Sequence, residues 1–297
     1  MKSHYIVADR HFSIEYSDEE VLTLMQRRYG PFRVSSSKVG DIPVMFALRV
    51  TPKFSPLKGA QLMSRFECEG SDCIYEQTEE MISISLLEPE SDHIWAQMHC
   101  DVDFKKANCW LSGDVVKREY CINNFLMMLF AFASMATETL LFHASVIGHE
   151  GKAYLFLGKS GTGKSTHSRL WFDHIPNCEL VNDDNPAVGL RDGKIIVYGT
   201  PWSGKTPCYR NVSFPVGAFV RLSQEKENTI ERESIVRSFA SLLPSCSGVK
   251  WDTRLYRAQG DTLSAIIARV PVYHLGCLPN AEAALLCHTT VTGGTSA

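Results

Sequence analysis

The stretch that decides the fold of this chain is Gly158-Lys159-Ser160-Gly161-Thr162-Gly163-Lys164-Ser165-Thr166, which directly follows the apolar run Ala153–Leu157. We call residues 158–166 the glycine-rich segment. Its pattern, G-x4-G-K-[ST], is typical of a loop that joins a strand to a helix and holds phosphate groups. Because glycine has no Cβ, backbone N–H groups of such a loop can converge on phosphates, and the start of the helix presents positive charge to them. The sequence therefore predicts that all nine residues bind a nucleotide.

Lys164 and Ser165 are the two chemically active side chains of the segment. We expect the lysine to reach the β- and γ-phosphates and the serine hydroxyl to ligate Mg²⁺, which bridges those phosphates. A strand-to-helix turn without a ligand is the alternative, but it would leave the Lys-Ser pair unexplained. The segment thus predicts Mg²⁺ as a cofactor together with the nucleotide.

The composition is that of an ordinary globular protein. Of the 297 residues, 44% are hydrophobic and 21% are charged, and the formal net charge is -3. This charge, without any basic run, gives no field that would hold nucleic acid or an anionic membrane. The most apolar segment, residues 125–136, is shorter than the about 20 residues that cross a bilayer. We expect neither nucleic acid nor a membrane as a partner.

The first residues and the cysteines bear on location. Residues 1–10 lack the apolar region of a signal peptide, and the ten cysteines include no C-x2-C pair. We expect a cytoplasmic protein with reduced thiols.

We expect an α/β protein in which the second half of the chain forms a nucleotide-binding domain and the first half forms a separate domain. Residues 1–115 alternate short β-like runs with polar turns, which predicts a mostly β N-terminal domain. We expect a linking helix at residues 116–140 and the nucleotide-binding domain at residues 141–290. Residues 291–297 are expected to form a flexible tail.

The pattern within the nucleotide-binding domain predicts individual elements. A strand at Lys152–Leu157 leads into the segment and a helix at Lys164–His174 leaves it. A hairpin of Ala187–Leu190 and Lys194–Tyr198 is joined through an Asp-Gly turn. The final helix is expected at Asn280–Cys287.

Asp183 and Asp184 are the candidates for the position across from the γ-phosphate. The pair begins nineteen residues after Lys164, behind a short apolar run, and a parallel sheet would bring it to the edge beside the glycine-rich segment. Phosphoryl transfer uses one carboxylate to hold Mg²⁺ and often another to accept the proton of the attacking hydroxyl. We expect the two aspartates to divide these roles, although they would also suit a solvated turn ahead of Pro186.

Two further features are candidates for the site. His143 lies fifteen residues upstream of Gly158 at the end of a predicted strand, where it is either structural or catalytic. Residues 199–205, with Trp202 and Lys205, and the nearby Arg210 offer stacking and charge. These three side chains are expected to bind the phosphoryl acceptor or its phosphate, the alternative being a structural corner.

The series of His143, the Ser-Gly-x-Gly-Lys-Ser core of residues 160–165 and Asp183-Asp184 resembles the catalytic domain of HPr kinase/phosphorylase. That family has the phosphoenolpyruvate carboxykinase-like nucleotide-binding fold, and the resemblance covers about residues 140–290. It implies that the glycine-rich segment binds ATP and that His143 belongs to the catalytic site. It also implies that Asp183 is the base and Asp184 a metal ligand.

The chain departs from that family at two places. Thr166 stands where HPr kinases carry a glutamate, and their Arg-Gly-Leu-Gly signature after the paired aspartates is absent, with residues 199–202 at the comparable place. The phosphocarrier protein HPr is therefore not the expected acceptor. The sequence predicts an ATP- and Mg²⁺-dependent kinase that phosphorylates a hydroxyl of a protein serine or a small metabolite. The alternative is a non-catalytic ATP-binding sensor or accessory protein, and a homo-oligomer is left open.

Overall fold

The computed structural model describes residues 1–293 except Phe54, Glu69 and Lys205. The described residues form a mixed α/β protein with two large sheets, which confirms the predicted class. The chain divides into two compact units, Met1–Ser134 and Met135–Ala297. Within the described ranges, the helices are too short or too polar to pass through a bilayer.

The first unit is built on a nine-stranded sheet in the order β3-β1-β2-β4-β9-β8-β7-β6-β5. Its strands are β1 (Lys2–Val7), β2 (Arg10–Glu15), β3 (Arg33–Val34), β4 (Val44–Val50), β5 (Gln61–Cys68), β6 (Ser71–Gln77), β7 (Met81–Leu87), β8 (Ile94–Asp101) and β9 (Lys106–Leu111). Its helices are α1 (Glu20–Tyr29), α2 (Ser36–Val39) and α3 (Val115–Met135), and a 3-10 turn follows α1.

Helix α3 is shorter than the linking helix expected from the sequence. It ends at Met135, and Thr139–Leu141 forms a strand that pairs with Ala187–Gly189. Glu138 has a left-handed backbone with φ of 51°, which a helix does not tolerate. The apolar residues after the helix are buried in a sheet instead, so helix-forming residue types alone placed the boundary too late.

In the second unit, the described residues form nine further strands and four helices. Its strands are β10 (Thr139–Leu141), β11 (Ala144–His149), β12 (Lys152–Leu157), β13 (Cys178–Asp184), β14 (Ala187–Arg191), β15 (Lys194–Tyr198), β16 (Ser213–Gln224), β17 (Thr229–Arg232) and β18 (Val272–Cys277). Its helices are α4 (Lys164–His174), α5 (Ile235–Leu242), α6 (Thr253–Ile267) and α7 (Ala281–Thr292), and a 3-10 turn follows α5. The predicted strand before the glycine-rich segment, the helix after it and the hairpin are confirmed.

The sheet around the glycine-rich segment is mixed and not parallel throughout. Strand β12 is parallel to β16 on one side and antiparallel to β11 on the other. Strand β11 is in turn antiparallel to β13. Because two reversals restore the direction, β12 and β13 still end at the same edge of the sheet.

One residue at the start of β11 shows that the ends of β12 and β13 lie beside each other. Ala144 is paired with Leu157 of β12 on one side and with Asp184 of β13 on the other. The pairing of β11 with β13 contains a bulge, at which Val146 faces Asn182 and Ile147 faces Leu180, so that Val181 is the extra residue. The aspartates therefore lie one strand away from the beginning of the glycine-rich segment.

Helices α4 and α7 cover an apolar face of this sheet. Trp171 of α4 and Cys287 of α7 are buried in one cluster with Phe156 and Val220 of the strands. Val291, expected in a flexible tail, belongs to the last turn of α7 and packs against this cluster. Residues 294–297 of the expected tail lie outside the described residues.

Candidate functional site

The glycine-rich segment connects β12 directly to α4. Gly163 is the residue before the helix and has φ of 106°, a left-handed conformation that favours glycine. Thr162 donates a hydrogen bond from its hydroxyl to the carbonyl of Lys159, which closes the loop on itself. Lys164, Ser165 and Thr166 then form the first turn of α4, with Ser165 and Thr166 exposed.

Lys164 turns back along the loop and binds His143. Its Nζ lies 2.9 Å from His143 Nε2 and donates to the carbonyl of Gly158 at 3.0 Å. Because a lysine has no acceptor, Nε2 of the histidine must accept this hydrogen bond. Burial lowers the pKa of the Lys164 ammonium, while the charges of Asp184 and Asp183 act in the opposite direction.

His143 connects the lysine to Asp184. Its Nδ1 lies 2.9 Å from Asp184 Oδ1, so the ring donates from Nδ1 when Nε2 accepts from Lys164. The His143 side chain is 45% exposed and that of Asp184 is 23% exposed, so both remain accessible. The other oxygen of Asp184, Oδ2, accepts a hydrogen bond of 2.7 Å from Asn185 Nδ2. The structure thus joins three of the expected site residues in one chain of contacts.

Ser165 is next to Asp183 and not next to Asp184. Its hydroxyl lies 3.1 Å from Asp183 Oδ1 and 3.4 Å from Oδ2. Asp183 is 7% exposed, and both aspartates are the last residues of β13 rather than part of a turn after it. The pairing differs from the expected division of roles, in which the metal carboxylate was Asp184.

A residue that the sequence did not single out holds this edge together. Asn182 is fully buried and donates to Thr200 Oγ1 at 3.1 Å and to the carbonyl of Trp202 at 3.3 Å. Its Oδ1 accepts from the backbone N–H of Asp184 at 3.0 Å. An asparagine directly after the apolar pair Leu180-Val181 was the available signal, since a buried amide must be hydrogen-bonded.

The structure speaks against two of the three expected acceptor residues, Trp202 and Arg210. Trp202 is 1% exposed, so its ring is a core group and is not presented to solvent. Arg210 binds Glu179 Oε2 and the carbonyl of Leu180, both at 2.6 Å, near the opposite end of β13 from the aspartates. The third residue, Lys205, lies outside the described residues.

The loop that contains Trp202 does reach the aspartates, but through the backbone of the two residues that follow the tryptophan. Ser203 forms a bridge with Asp184, and the N–H of Gly204 donates to the carbonyl of Asp183 at 3.0 Å. A Cβ at Gly204 would lie 2.8 Å from that carbonyl oxygen, which is closer than real Cβ atoms approach. Glycine is required at position 204 because the two segments of the chain are in direct contact there.

A cavity of about 1030 Å³ opens beside the glycine-rich segment. Residues 158–162 and His143 line one side, and the end of β16, residues 221–224, lines another. Helix α5 and the two carboxylates Glu231 and Glu233 complete the wall. The cavity was not predicted, because its lining comes from segments that are far apart in the sequence.

The oxygen ligands of the site suit a hard cation. A serine hydroxyl and a carboxylate, here Ser165 and Asp183, are donors that Mg²⁺ prefers. Within the described residues, three or more histidine, cysteine or acidic side chains do not come together as a ready-made metal cluster. Two such oxygens would suit only an ion that takes its remaining ligands from outside the protein.

Comparison with known proteins adds little to this geometry. No protein-family model matches the chain. Among solved structures, the HPr(Ser) kinase/phosphatase from Coxiella burnetii is similar to 52% of this chain and 94% of its own length, with 15% sequence identity and a TM-score of 0.32. A TM-score of this size carries no argument about this chain, so the function proposed below rests on the chain's own residues.

Proposed function

We propose that this protein is an ATP- and Mg²⁺-dependent phosphotransferase that moves the γ-phosphoryl group to a hydroxyl group of a protein serine or a small metabolite. The observation that carries the proposal is the set of contacts around the glycine-rich segment. Lys164 is linked through His143 to Asp184, and Ser165 is linked to Asp183. A cation, a hydroxyl and two carboxylates at the end of a glycine-rich loop are the groups that phosphoryl transfer needs.

Ser165 and Asp183 would hold the magnesium ion. When bound there, Mg²⁺ would neutralise the charge that develops on the phosphates during transfer. The burial of Asp183 favours this role, because a carboxylate in a closed position serves a fixed cation better than an incoming substrate. Lys164 would leave part of its present contacts and bind phosphate oxygens.

Asp184 would accept the proton of the acceptor hydroxyl. Its Oδ1 is oriented by His143 and its side chain is partly exposed, so an acceptor can approach it. The acceptor oxygen forms a bond to the γ-phosphorus while the bond from that phosphorus to the β,γ-bridging oxygen breaks. The acceptor's proton passes to Asp184, and ADP leaves. This division of the two aspartates is the reverse of the one implied by the family resemblance.

Binding of MgATP by isothermal titration calorimetry tests the first half of the proposal. Lys164→Ala should weaken MgATP binding by about ten- to a hundredfold, since hydrogen bonds to charged groups contribute roughly 1.5–3 kcal/mol. Lys152→Ala removes the same charge from an exposed position at the other end of β12 and should bind like the parent. Equal affinity in all three proteins would rule out the glycine-rich segment as the phosphate site.

Release of ADP in the presence of hydroxyl acceptors tests the second half. Serine-containing peptides and small hydroxy compounds are compared with a sample that contains no acceptor. Acceptor-dependent ADP release that disappears in Asp184→Asn supports a kinase. Tight MgATP binding without turnover on any acceptor would favour the alternative of an ATP-binding sensor.

A further inference from the structure

We propose that the cavity beside the glycine-rich segment receives the nucleoside, and that Glu233 recognises the amino group of adenine there. This inference rests on the proposed function, since it requires that residues 158–166 hold the phosphates. It goes further by assigning the base specificity to a residue outside the phosphate and metal groups.

The position of the cavity relative to the aspartates supports a nucleoside. Ser165 and Asp183 would draw the magnesium ion and the γ-phosphate towards β11 and β13 on one flank of β12. The cavity extends to the opposite flank, along the ends of β16 and β18. A nucleotide whose γ-phosphate points to one flank has its base directed to the other.

The distance across the sheet fits this arrangement. Leu157, the last residue before the segment, is paired with Arg221 of β16, which is paired with His274 of β18. Two strand spacings, or about 10 Å, therefore separate the start of the segment from β18. Both Arg221 and His274 line the cavity, so it spans this whole width.

Glu233 carries a buried oxygen without a partner. Its side chain is 2% exposed, and its Oε1 accepts from Ser241 Oγ at 2.8 Å and from Arg221 Nε at 3.4 Å. Its Oε2 is buried and has no hydrogen-bond partner, although Glu233 lines the cavity. Since an unmet buried acceptor is costly, a ligand donor that reaches this oxygen as the cavity wall adjusts around it would stabilise the complex.

The single free oxygen selects among the bases. The amino group of adenine offers one donor at that edge and matches one acceptor. Guanine presents a ring N–H and an amino group side by side, which need both oxygens of a carboxylate, and Oε1 is already occupied by Ser241 and Arg221. Leu222, Ala240 and Pro244 supply apolar lining for the faces of a base. Adenine is therefore the base that fits.

Titration calorimetry with ATP, GTP and ITP tests the assignment. ITP has the same phosphates and ribose, but its hypoxanthine carries a carbonyl oxygen where adenine has the amino group. The parent protein should bind MgATP about ten- to a hundredfold more tightly than MgITP, the range expected for one hydrogen bond to a charged group. GTP should bind more weakly than ATP.

The variant Glu233→Gln should reduce this preference or reverse it, because its amide can donate to the carbonyl of hypoxanthine. Glu231→Gln is the matched control: it removes the same charge from the same wall, where Glu231 is exposed and paired with Arg237. The control should keep the ATP-to-ITP ratio of the parent. A ratio measured within one protein does not depend on the fraction that is folded.

The outcomes separate the two proposals. Equal binding of ATP and ITP by the parent, an unchanged ratio in Glu233→Gln, or tighter binding of GTP than of ATP would overturn the role of Glu233 while the phosphate site stands. If the parent binds none of the three triphosphates, the proposed function itself fails.

Discussion

His143 Nδ1 and Asp184 Oδ1 lie 2.9 Å apart, and this contact fixes the orientation of the imidazole at the edge of the sheet. The ring can then turn Nε2 towards Lys164, so the histidine joins the cation of the glycine-rich segment to the end of β13. If a phosphate took the place of His143 at Lys164, the histidine would keep its carboxylate partner. We therefore expect it to position Asp184 in both states.

Asp183→Asn should reduce the contribution of Mg²⁺ to ATP binding. The amide keeps one oxygen beside Ser165 but removes the charge that a divalent ion requires. We expect the gain in ATP affinity on adding Mg²⁺ to fall by at least about tenfold. Calorimetric titrations of ATP with MgCl2 and with EDTA measure this gain directly. An unchanged gain would exclude Asp183 as the metal carboxylate.

Asp184→Asn should leave MgATP affinity near that of the parent and lower turnover by roughly 10²–10⁴-fold, the usual contribution of a general base. The variant retains a partner for His143 but cannot take a proton. The measurement compares the rate of phosphoryl transfer with MgATP affinity in the same preparation. If Asp184→Asn lost Mg²⁺ dependence and Asp183→Asn lost turnover, the roles implied by the family resemblance would be restored.

Trp202→Ala should damage the fold and not the acceptor site. Removing a large buried aromatic side chain costs about 3–5 kcal/mol, because a cavity remains where the ring was packed. Urea unfolding should show this loss, and Trp202→Phe should lose less. A Trp202→Ala protein with the stability of the parent and a raised KM for the acceptor would show that the ring meets substrate after all.

Acid should destabilise the protein through His167. Burial lowers the pKa of this histidine to about 4, from about 6.5 when it is exposed, and its Nε2 accepts from Trp171 Nε1 at 3.2 Å. The folded form prefers the neutral ring, so its stability is complete above about pH 6.5 and falls as the pH drops towards 4. The loss should approach about 3 kcal/mol.

Urea unfolding in EDTA between pH 7 and pH 4.5 tests this dependence. His167→Gln retains an acceptor for Trp171 but has no titrating group, so its stability should fall less with acid. His174→Gln, at an exposed position on the same helix, should follow the parent. Parallel acid profiles for all three proteins would assign the loss to other groups.

Gly204→Ala should disturb the edge that carries the aspartates. The added methyl group would lie 2.8 Å from the carbonyl oxygen of Asp183 and 3.2 Å from Asp184 Cβ. Either the loop at Gly204 or the end of β13 must therefore shift. We expect a loss of about 1–3 kcal/mol in stability and a lower rate of transfer. Gly260→Ala is the control, because the nearest atom to its Cβ is 4.0 Å away. Unfolding and rate measurements on both variants decide whether the loop position matters.

The sequence predicted the parts of the site that depend on local structure. The glycine-rich segment, the strand before it and the helix after it follow from neighbouring residues, and their bounds were correct. The proximity of Asp183 and Asp184 to the segment was also expected, although the reason given, a parallel sheet, was wrong. Strand β11 lies between β12 and β13 and is antiparallel to both. The two strands therefore run in the same direction and end at the same edge.

The sequence could not predict features that depend on tertiary packing. Trp202 looked like an exposed stacking residue because Lys205 and Arg210 follow it, but its ring is buried. No sequence pattern marked Glu233 as a candidate. Its partners Arg221 and Ser241 belong to a strand before it and a helix after it in the chain. Asn182 could have been noticed as the polar residue that directly follows the apolar pair Leu180-Val181.

The bulge at Val181 determines which face of the sheet each of the two aspartates points to. Side chains alternate between the faces of a strand, and one extra residue moves all those that follow to the opposite face. If Val181 were paired with Val146, Asp183 would stand opposite Ala144 in the position that Asp184 now holds. A single inserted residue in the backbone thus decides which of two identical carboxylates lies beside the serine and which lies beside the histidine.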